Sequence, residues 1–289
     1  MVTPMTAEGA IDYDGAARLA AHLVDEGRND GLVISGTTGE SPTTSDAEQD
    51  RLLRTVLETV GDRATVVAGV GTNDTAHTLE LARQAESAGA HALLVVTPYY
   101  NKPPQEGLVR HFTAVADATG LPNMLYDIPG RTGTKIATET LLKLAEHPRI
   151  VAVKDAAGDL FAGSQVMAQS DLIFYSGDDA LNLAWLSVGA AGMVSVVGHV
   201  VGPELHEMIE AYRAGDPGRA LAIHRRLLPV VTAIMTRTQG AIATKAALNL
   251  LGIIGGDVRS PLVPASAEFA AYLREQLLNG GVKVPEVTA

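Results

Sequence analysis

The sequence predicts an α/β fold, namely a (β/α)8 TIM barrel with a C-terminal helical extension. Three observations support this prediction. Short apolar runs alternate with amphipathic segments of about a dozen residues, about eight of these units precede residue 203, and only helical patterns follow. Repeated strand-then-helix order indicates a parallel sheet, and so many units in a chain of 289 residues favour a closed barrel over an open sheet.

The predicted strands are short, rich in β-branched residues and bounded by turn-forming residues, which is typical of buried parallel strands. They are GLVIS (31–35), TVVAGV (65–70), ALLVVTP (92–98), NMLYDI (123–128), IVAVK (150–154), LIFYS (172–176) and GMVSVV (192–197). A stub at MVTP (1–4) stands where the first barrel strand would end, so that strand is either short or truncated.

Between the strands lie amphipathic helical patterns, for example YDGAARLAAHLVDEG (13–27) and DAEQDRLLRTVLETVG (46–61). Further helical patterns follow the last strand: PELHEMIEAYRAG (203–215), PGRALAIHRRLLPVVTAIMT (217–236), AIATKAALNLLG (241–252) and SAEFAAYLREQLLNG (266–280). We therefore assign residues 1–202 to a barrel that carries the active site, and residues 203–289 to a helical extension packed on it.

The composition restricts the partners of the chain. Its 22 basic and 33 acidic residues give a formal net charge of −11, which would repel nucleic acid and anionic membranes. The chain has no cysteine, which excludes disulfides, thiolate metal sites and a cysteine nucleophile. Neither a signal peptide nor a membrane-spanning apolar stretch is evident, so we expect a cytoplasmic protein without nucleic-acid or membrane partners.

The stretch RIVAVKDAAGDL (149–160) places Lys154 at the carboxyl end of a buried strand. Ile150 and Ala152 share its strand face, so the lysine points into the barrel mouth if the intervening valines face the helices. Burial there would disfavour the ammonium and free an amine for imine formation with a carbonyl. The alternative is that Lys154 simply extends to water. Asp155, next along the strand, should face away from it.

Further turns with reactive side chains also follow predicted strands: SGTTGES (35–41), TPYYNKP (97–103) and LYDIPGRTG (125–133). In a barrel the carboxyl ends of the strands share one face, so these turns would cluster with Lys154. The adjacent hydroxyls of Thr37 and Thr38 would suit a small carboxylate. The alternative is a Gly-rich phosphate cradle, which is disfavoured because the turn lacks the lysine of a P-loop.

Metal and dinucleotide sites are not indicated by the motifs. The stretch GVGTND (69–74) lacks the third glycine of a dinucleotide fingerprint, and the histidines lack HExxH spacing. The aspartates of SGDDA (176–180) are more typical of a helix cap than of a metal site. Ser45 and Glu48 have the spacing of a capping box at the start of the next helix.

The motifs together resemble those of a known enzyme family. GTTGESPT, TPYYNKPPQEGLVRHF, LYDIPGRTG, VKDAAGDL and YSGDDA occur in the order and approximate spacing of the 4-hydroxy-tetrahydrodipicolinate synthase (dihydrodipicolinate synthase) family of pyruvate-dependent Schiff-base aldolases. The resemblance covers nearly the whole chain, and actinobacterial members look most similar. Arg131 within GRTG points to the synthase rather than to related sugar-acid aldolases.

The resemblance implies a catalytic set. Lys154 matches the lysine that forms a Schiff base with pyruvate, and Tyr126 matches the tyrosine that transfers protons at that carbon. By the same resemblance, Thr37 links Tyr126 to Tyr100, and Tyr100 reaches in from a neighbouring subunit.

Substrate-binding residues are implied in the same way. Thr38 resembles the residue that holds the carboxylate of pyruvate, and Arg131 resembles the one that orients the carboxylate of aspartate-semialdehyde. The backbones of Gly177 and Val194 fall where the family lines the imine pocket.

The implied activity is condensation of pyruvate with L-aspartate-4-semialdehyde in lysine and diaminopimelate biosynthesis, with no metal, flavin or nicotinamide cofactor. The implied assembly is a homotetramer built as a dimer of dimers. Two alternatives stay open: another pyruvate-dependent Schiff-base lyase, such as a sugar-acid aldolase or an N-acetylneuraminate lyase, and a non-catalytic barrel that binds a keto acid.

Overall fold

The computed structural model describes residues 1–285, which form two compact units. The first unit comprises Met1–Ala64 and the chain from Ser195 onward, and the second comprises Thr65–Val194. The boundary that we assign between residues 202 and 203 stays a prediction. Residues 286–289 of the predicted helical extension lie outside the described residues.

The elements alternate as the sequence predicts. The strands are β1 (Gly31–Ile34), β2 (Thr65–Gly69), β3 (Ala92–Val96), β4 (Asn123–Asp127), β5 (Ile150–Asp155), β6 (Ile173–Ser176) and β7 (Gly192–Met193). The helices are α1 (Tyr13–Asp25), α2 (Asp46–Val60), α3 (Thr75–Ala88), α4 (Gln105–Ala118), α5 (Pro129–Thr132), α6 (Thr138–Ala145), α7 (Leu160–Met167), α8 (Asn182–Ser187), α9 (Gly198–Arg213), α10 (Pro217–Thr236), α11 (Gly240–Leu250) and α12 (Ala267–Asn279).

The predicted strands from GLVIS to LIFYS are confirmed within two residues at each end. The last predicted strand is too long, because β7 ends at Met193 and not at Val197. There the hydroxyl of Ser195 accepts a hydrogen bond from the backbone N–H of Gly198, 2.8 Å away, and the chain turns into α9. Val197 is fully buried in this turn, so its apolar character reflects packing rather than a strand.

The predicted stub at residues 1–4 is wrong as a strand, because these residues form no regular ladder. The backbone N–H of Val2 donates to Nε2 of His199 at 3.0 Å, and the hydroxyl of Thr3 donates to the carbonyl of Gly39 at 2.6 Å. The Val2 backbone therefore bonds to a side chain, and the Thr3 side chain bonds to a turn, in place of the regular ladder that the apolar pattern predicts.

In the second unit, strands β2 to β7 pair in chain order, each parallel to the next. Helix α7 approaches Trp185 of α8 closely because it presents Gly163, where a Cβ would lie 2.4 Å from the Trp185 ring. Phe174 of β6 stacks on Trp185 with ring centroids 5.7 Å apart. This packing fixes β6 and its neighbours from the helical side.

In the first unit, the C-terminal helices pack on one another. Helix α10 contacts α9 and α12, and α11 contacts α12. These helices carry buried apolar residues, such as Leu227 of α10 and Leu273 of α12. Helix α9 is kinked at Val201, whose backbone is not helical, two residues before Pro203.

No helix within residues 1–285 combines the length and the apolar character that crossing a bilayer requires.

His199 at the start of α9 is buried and accepts one hydrogen bond while it makes another. Its Nε2 accepts from Val2, as above, and its Nδ1 lies 2.7 Å from the carbonyl of Val196. This arrangement requires a neutral ring with the proton on Nδ1. Burial lowers the pKa of His199 to about 3.

We therefore predict a specific acid sensitivity of folding. Below about pH 6.5, His199 takes up a proton in the unfolded chain but not in the folded protein. The free energy of unfolding therefore falls by about 1.4 kcal/mol for each pH unit below that value. The stabilisation by neutral His199 is present in full above the pKa of the unfolded chain, and it is lost as the pH falls towards about 3, the pKa in the folded protein. Urea unfolding of the wild type and of His199→Gln, each at about pH 7 and about pH 5, measures this loss of stability. The variant should lose less stability between the two pH values, and equal losses would contradict the assignment.

Candidate active site

The centre of the candidate site is a row of three side chains on adjacent strands of the second unit. In the parallel register Tyr126 of β4 pairs with Lys154 of β5, and Lys154 pairs with Tyr175 of β6. Residues paired in this way project from the same face of a sheet. The sequence points to Lys154 by its position at a strand end and to Tyr126 by the family resemblance, whereas Tyr175 becomes evident only from the strand register.

Lys154 and Tyr126 are in direct contact. Nζ of Lys154 lies 4.0 Å from the centroid of the Tyr126 ring. Tyr126 is 4 % exposed and Lys154 is half-buried, so the amine is both sheltered and reachable. An ammonium is attracted to the face of an aromatic ring, and the contact limits the rotamers of the long lysine side chain.

The opposite face of the same strands carries two buried carboxylates. Asp127 of β4 and Asp155 of β5 pair in register, one residue beyond Tyr126 and Lys154. Oδ1 of Asp155 accepts from the backbone N–H groups of Ala157 and Gly158 at 3.0 and 2.9 Å, so it faces away from Lys154 as predicted.

These carboxylates share a poorly solvated environment. Burial is the main cause that raises the pKa of Asp127 to about 7; the hydrogen bond from Ile136 opposes this shift, and the nearby charge of Asp155 adds to it. Burial also raises the pKa of Asp155. Asp127 accepts from the backbone N–H of Ile136, with both oxygens 3.3 Å away. Both side chains thus hold the turns after β4 and β5.

Gly177 lies against the base of Lys154. Its N–H donates to the carbonyl of Asp155 at 2.6 Å. A Cβ on Gly177 would lie 2.9 Å from that carbonyl oxygen and 3.0 Å from Cγ of Lys154, so only glycine allows this approach. The N–H of Val194 donates to the carbonyl of Ser176 at 2.8 Å, which fixes the backbone after β7.

Tyr100 follows β3 in a strained turn. Its φ is +75°, and the N–H of Asn101 donates to the carbonyl of Tyr99 at 2.9 Å. A three-residue turn with positive φ is unfavourable for a bulky residue. Tyr100 is 87 % exposed, so within this chain it is not part of the buried row.

Arg131 lies in the short helix α5 that follows β4. Its backbone N–H donates to the carbonyl of Ile128 at 2.9 Å, while the residue is exposed. Among residues 1–285 its guanidinium has no ion-pair partner within 4 Å. Arg131 therefore keeps its bidentate donor face available to a ligand.

Thr37 and Thr38 lie in the first unit, in a single 3-10 turn, Thr37–Gly39, directly after β1. The turn is flanked by two residues with positive φ, Ser35 and Glu40, each at 58°. Both threonines are half-buried. Their adjacent positions at a strand end agree with the sequence expectation.

The predicted caps are confirmed. Ser45 and Glu48 form a capping box at the start of α2, because the Glu48 carboxylate accepts from the Ser45 N–H at 2.8 Å and the Ser45 hydroxyl accepts from the Glu48 N–H at 3.4 Å. In SGDDA, the Asp178 side chain accepts from the N–H of Ala180 at 3.1 Å. These groups have structural roles in their turns.

Comparison with known proteins agrees with this geometry. The family model described as the dihydrodipicolinate synthetase family matches residues 1–279. The chain is 66% identical over 281 residues to the 4-hydroxy-tetrahydrodipicolinate synthase of Acidothermus cellulolyticus, covering 97% of this chain and 91% of that protein. It is 65% identical to 4-hydroxy-tetrahydrodipicolinate synthase 2 of Streptomyces coelicolor, covering 98% and 94%.

Solved structures agree as well. The lysine-bound enzyme of Cyanidioschyzon merolae superposes with a TM-score of 0.94 at 42% identity, covering 97% of this chain and 96% of that chain. The pyruvate complex of the chloride-inhibited enzyme of Acinetobacter baumannii has a TM-score of 0.93 at 34% identity, covering 98% and 97%. A monomeric dihydrodipicolinate synthase variant has a TM-score of 0.93 at 37% identity, covering 98% and 95%.

These similarities confirm the predicted fold class, a (β/α)8 TIM barrel with C-terminal helices. They also confirm the family that the motifs indicate, with actinobacterial proteins among its similar members. The chain is a member of the dihydrodipicolinate synthetase family.

Proposed function

We propose that this protein condenses pyruvate with L-aspartate-4-semialdehyde to give 4-hydroxy-tetrahydrodipicolinate, in lysine and diaminopimelate biosynthesis. One observation carries the proposal: the amine of Lys154 lies 4.0 Å over the ring of Tyr126, at the carboxyl end of a buried strand. The two relatives that are 65 and 66% identical to this chain bear the name of the synthase.

The proposed chemistry begins at Lys154. Its neutral amine attacks the ketone carbon of pyruvate, and loss of water gives an imine. The protonated imine withdraws electrons from the methyl carbon, so Tyr126 can accept or relay a proton from that carbon and leave an enamine. The enamine carbon then forms a bond to the aldehyde carbon of the semialdehyde, whose oxygen takes up a proton to become the hydroxyl group, and the imine to Lys154 is restored. Finally the substrate amine attacks the imine carbon and displaces Lys154, which closes the ring.

The remaining catalytic groups extend the proton path. Thr37 connects Tyr126 to Tyr100 in the proposed relay, and Tyr100 comes from a neighbouring subunit. The exposed, strained position of Tyr100 supports this role, because a bulky residue with φ of +75° is costly without a use. The tyrosine would otherwise expose a large ring to water.

The substrate-binding groups recognise two carboxylates. Thr38 holds the carboxylate of pyruvate, and Arg131 orients that of the semialdehyde. Arg131 is exposed, and its guanidinium has no ion-pair partner among residues 1–285, which supports its role because its planar fork matches a carboxylate. The backbones of Gly177 and Val194 line the imine pocket.

Two alternative activities are separable by experiment. A sugar-acid lyase would also use Lys154 and Tyr126, but it would not need Arg131. A panel of keto acids and aldehydes discriminates between the two activities. A non-catalytic keto-acid binder would bind pyruvate without turnover. The contact between Lys154 and Tyr126 argues against it, since binding alone needs no amine over a phenol ring.

The central prediction concerns a covalent adduct. Borohydride reduction in the presence of pyruvate should trap a pyruvyl group on Lys154, because only an imine at that amine is reduced to a stable secondary amine. Peptide mass mapping locates it, with Lys154→Ala as the control that should show none. A pyruvyl mass on Lys102 or Lys135, or on no lysine, would contradict the mechanism.

A second prediction tests the close approach of Gly177. A methyl group there meets Cγ of Lys154 at 3.0 Å, so Gly177→Ala should displace the lysine and slow adduct formation by roughly tenfold or more. Gly192→Ala is the matched control, because its Cβ would meet only the Tyr175 ring, at 3.7 Å. Trapping rates under borohydride measure both variants. Equal rates in the two would show that Gly177 does not position Lys154.

We also propose that the protein is a homotetramer, a dimer of dimers, in which each site receives Tyr100 from a partner subunit. The support is the outward, strained Tyr100 described above. A monomeric variant exists among the relatives, so the assembly needs its own test. The cytoplasmic location stays a prediction.

Mixed assemblies test the shared site. Tyr100→Phe removes the relay hydroxyl and Lys154→Ala removes the imine, so each variant alone should be nearly inactive. When the two are co-expressed, a mixed oligomer contains some sites with both Tyr100 and Lys154 intact, and activity should exceed the sum of the separate variants. Mixed oligomers that form without any recovery would contradict a Tyr100 supplied by the partner.

A further inference from the structure

We propose that Glu40, Lys245 and Arg259 are positioning residues of the reaction, because their ion-pair network sets the geometry of the Thr37–Thr38 turn. The inference rests on the proposed function of that turn in proton relay and carboxylate binding. All of the residues involved lie in the first unit.

The network is centred on a buried lysine. Lys245 lies in α11 among apolar neighbours and is 0% exposed. Its Nζ donates to Oε1 of Glu40 at 2.5 Å and to the carbonyl of Asp257 at 2.7 Å. The side chain of Glu40 is 1% exposed, so both charges are removed from water. Burial lowers the pKa of Lys245, and the hydrogen bond to Glu40 opposes that shift.

Arg259 holds the other side of Glu40. Its backbone N–H donates to Oε2 of Glu40 at 2.9 Å. Its guanidinium donates to the carbonyls of Gly9 and Thr43 and to both carboxylate oxygens of Glu48, at 3.0 and 2.9 Å. The hydrogen bond from Arg259 lowers the pKa of Glu48 to about 2, so this carboxylate stays charged.

Glu40 is the residue that ends the threonine turn. Its N–H donates to the carbonyl of Thr37 at 3.2 Å, and its own carbonyl accepts from the N–H of Thr43 at 3.1 Å. Glu40 has φ of 58° and ψ of 34°, the left-handed conformation that a residue with a side chain rarely adopts. Such strain is costly and persists only where surrounding contacts fix it.

Stability alone does not explain this network. Exchanging a buried ion pair for apolar residues of similar volume is often neutral or stabilising, because desolvation offsets most of the attraction. Removal of one partner, by contrast, leaves a buried charge unpaired. The ion pair between Lys245 of α11 and Glu40 determines the position of Glu40. Through Glu40 it determines the positions of the Thr37 and Thr38 side chains. Reaction rates depend on such placement to within a fraction of an ångström.

The test compares Glu40→Gln, Lys245→Met and the double variant with wild type. Each single variant should lower kcat/KM by roughly 10- to 100-fold, with a higher KM for pyruvate and a lower kcat, and little change in KM for the semialdehyde. The double variant removes both charges and should recover part of this loss, because no unpaired charge remains. Leu273→Ala in α12 is the stability-matched control: it removes fully buried packing in the same unit and should leave both KM values unchanged.

Three results would overturn the proposal. One is that the single variants lose stability like Leu273→Ala while kcat and the KM for pyruvate stay within about twofold of wild type. Another is that both KM values rise equally. If a single variant does not fold, Arg259→Lys replaces it in the comparison with wild type, because lysine keeps the charge but loses the planar guanidinium. Unchanged kinetic constants in Arg259→Lys would also overturn the proposal.

Borohydride trapping separates this inference from the proposed function. At saturating pyruvate the adduct should still form on Lys154 in every network variant, only more slowly. Adducts on Lys154 combined with unchanged kinetic constants would refute the positioning role alone. The absence of an adduct in wild type would refute the proposed function itself.

Discussion

The arrangement of the whole reactive row depends on one backbone constraint, the parallel register that pairs Tyr126 with Lys154. A slip of one residue between β4 and β5 would move one of these side chains to the opposite face and bring a carboxylate beside the other. The register is set by strands whose apolar residues are buried, such as Leu125 and Val153, so the core that stabilises the sheet also aligns the chemistry.

Alternation along the strands separates two tasks. One face presents Tyr126 and Lys154 to a substrate, while the next residues, Asp127 and Asp155, turn the other way and accept hydrogen bonds from the loops. Raised pKa values are often taken to mark catalytic groups, yet here burial raises them on the face away from the amine. Their carboxylates shape the turns that follow the reactive strands, and Gly177 then closes the space around Lys154.

Local pattern predicts much of this protein, and long-range pairing accounts for what it does not predict. Strands such as IVAVK are evident because β-branched runs end at turn residues, and Lys154 is evident as a charge at such an end. GMVSVV reads equally well as a strand, but Ser195 ends it early. The pairing of Glu40 with Lys245 joins residues 205 positions apart, so no window of sequence contains it. The one local signal is a lysine in a helix whose other residues carry no charge.

The central claim is that Lys154 forms a covalent bond to pyruvate beside the Tyr126 ring. The most direct measurement is a crystal structure of the protein soaked in pyruvate. The account predicts continuous electron density from Nζ of Lys154 to the ketone carbon, with the new bond still next to the phenol of Tyr126. Pyruvate found unbonded in the site, or bonded to a different lysine, would contradict the account.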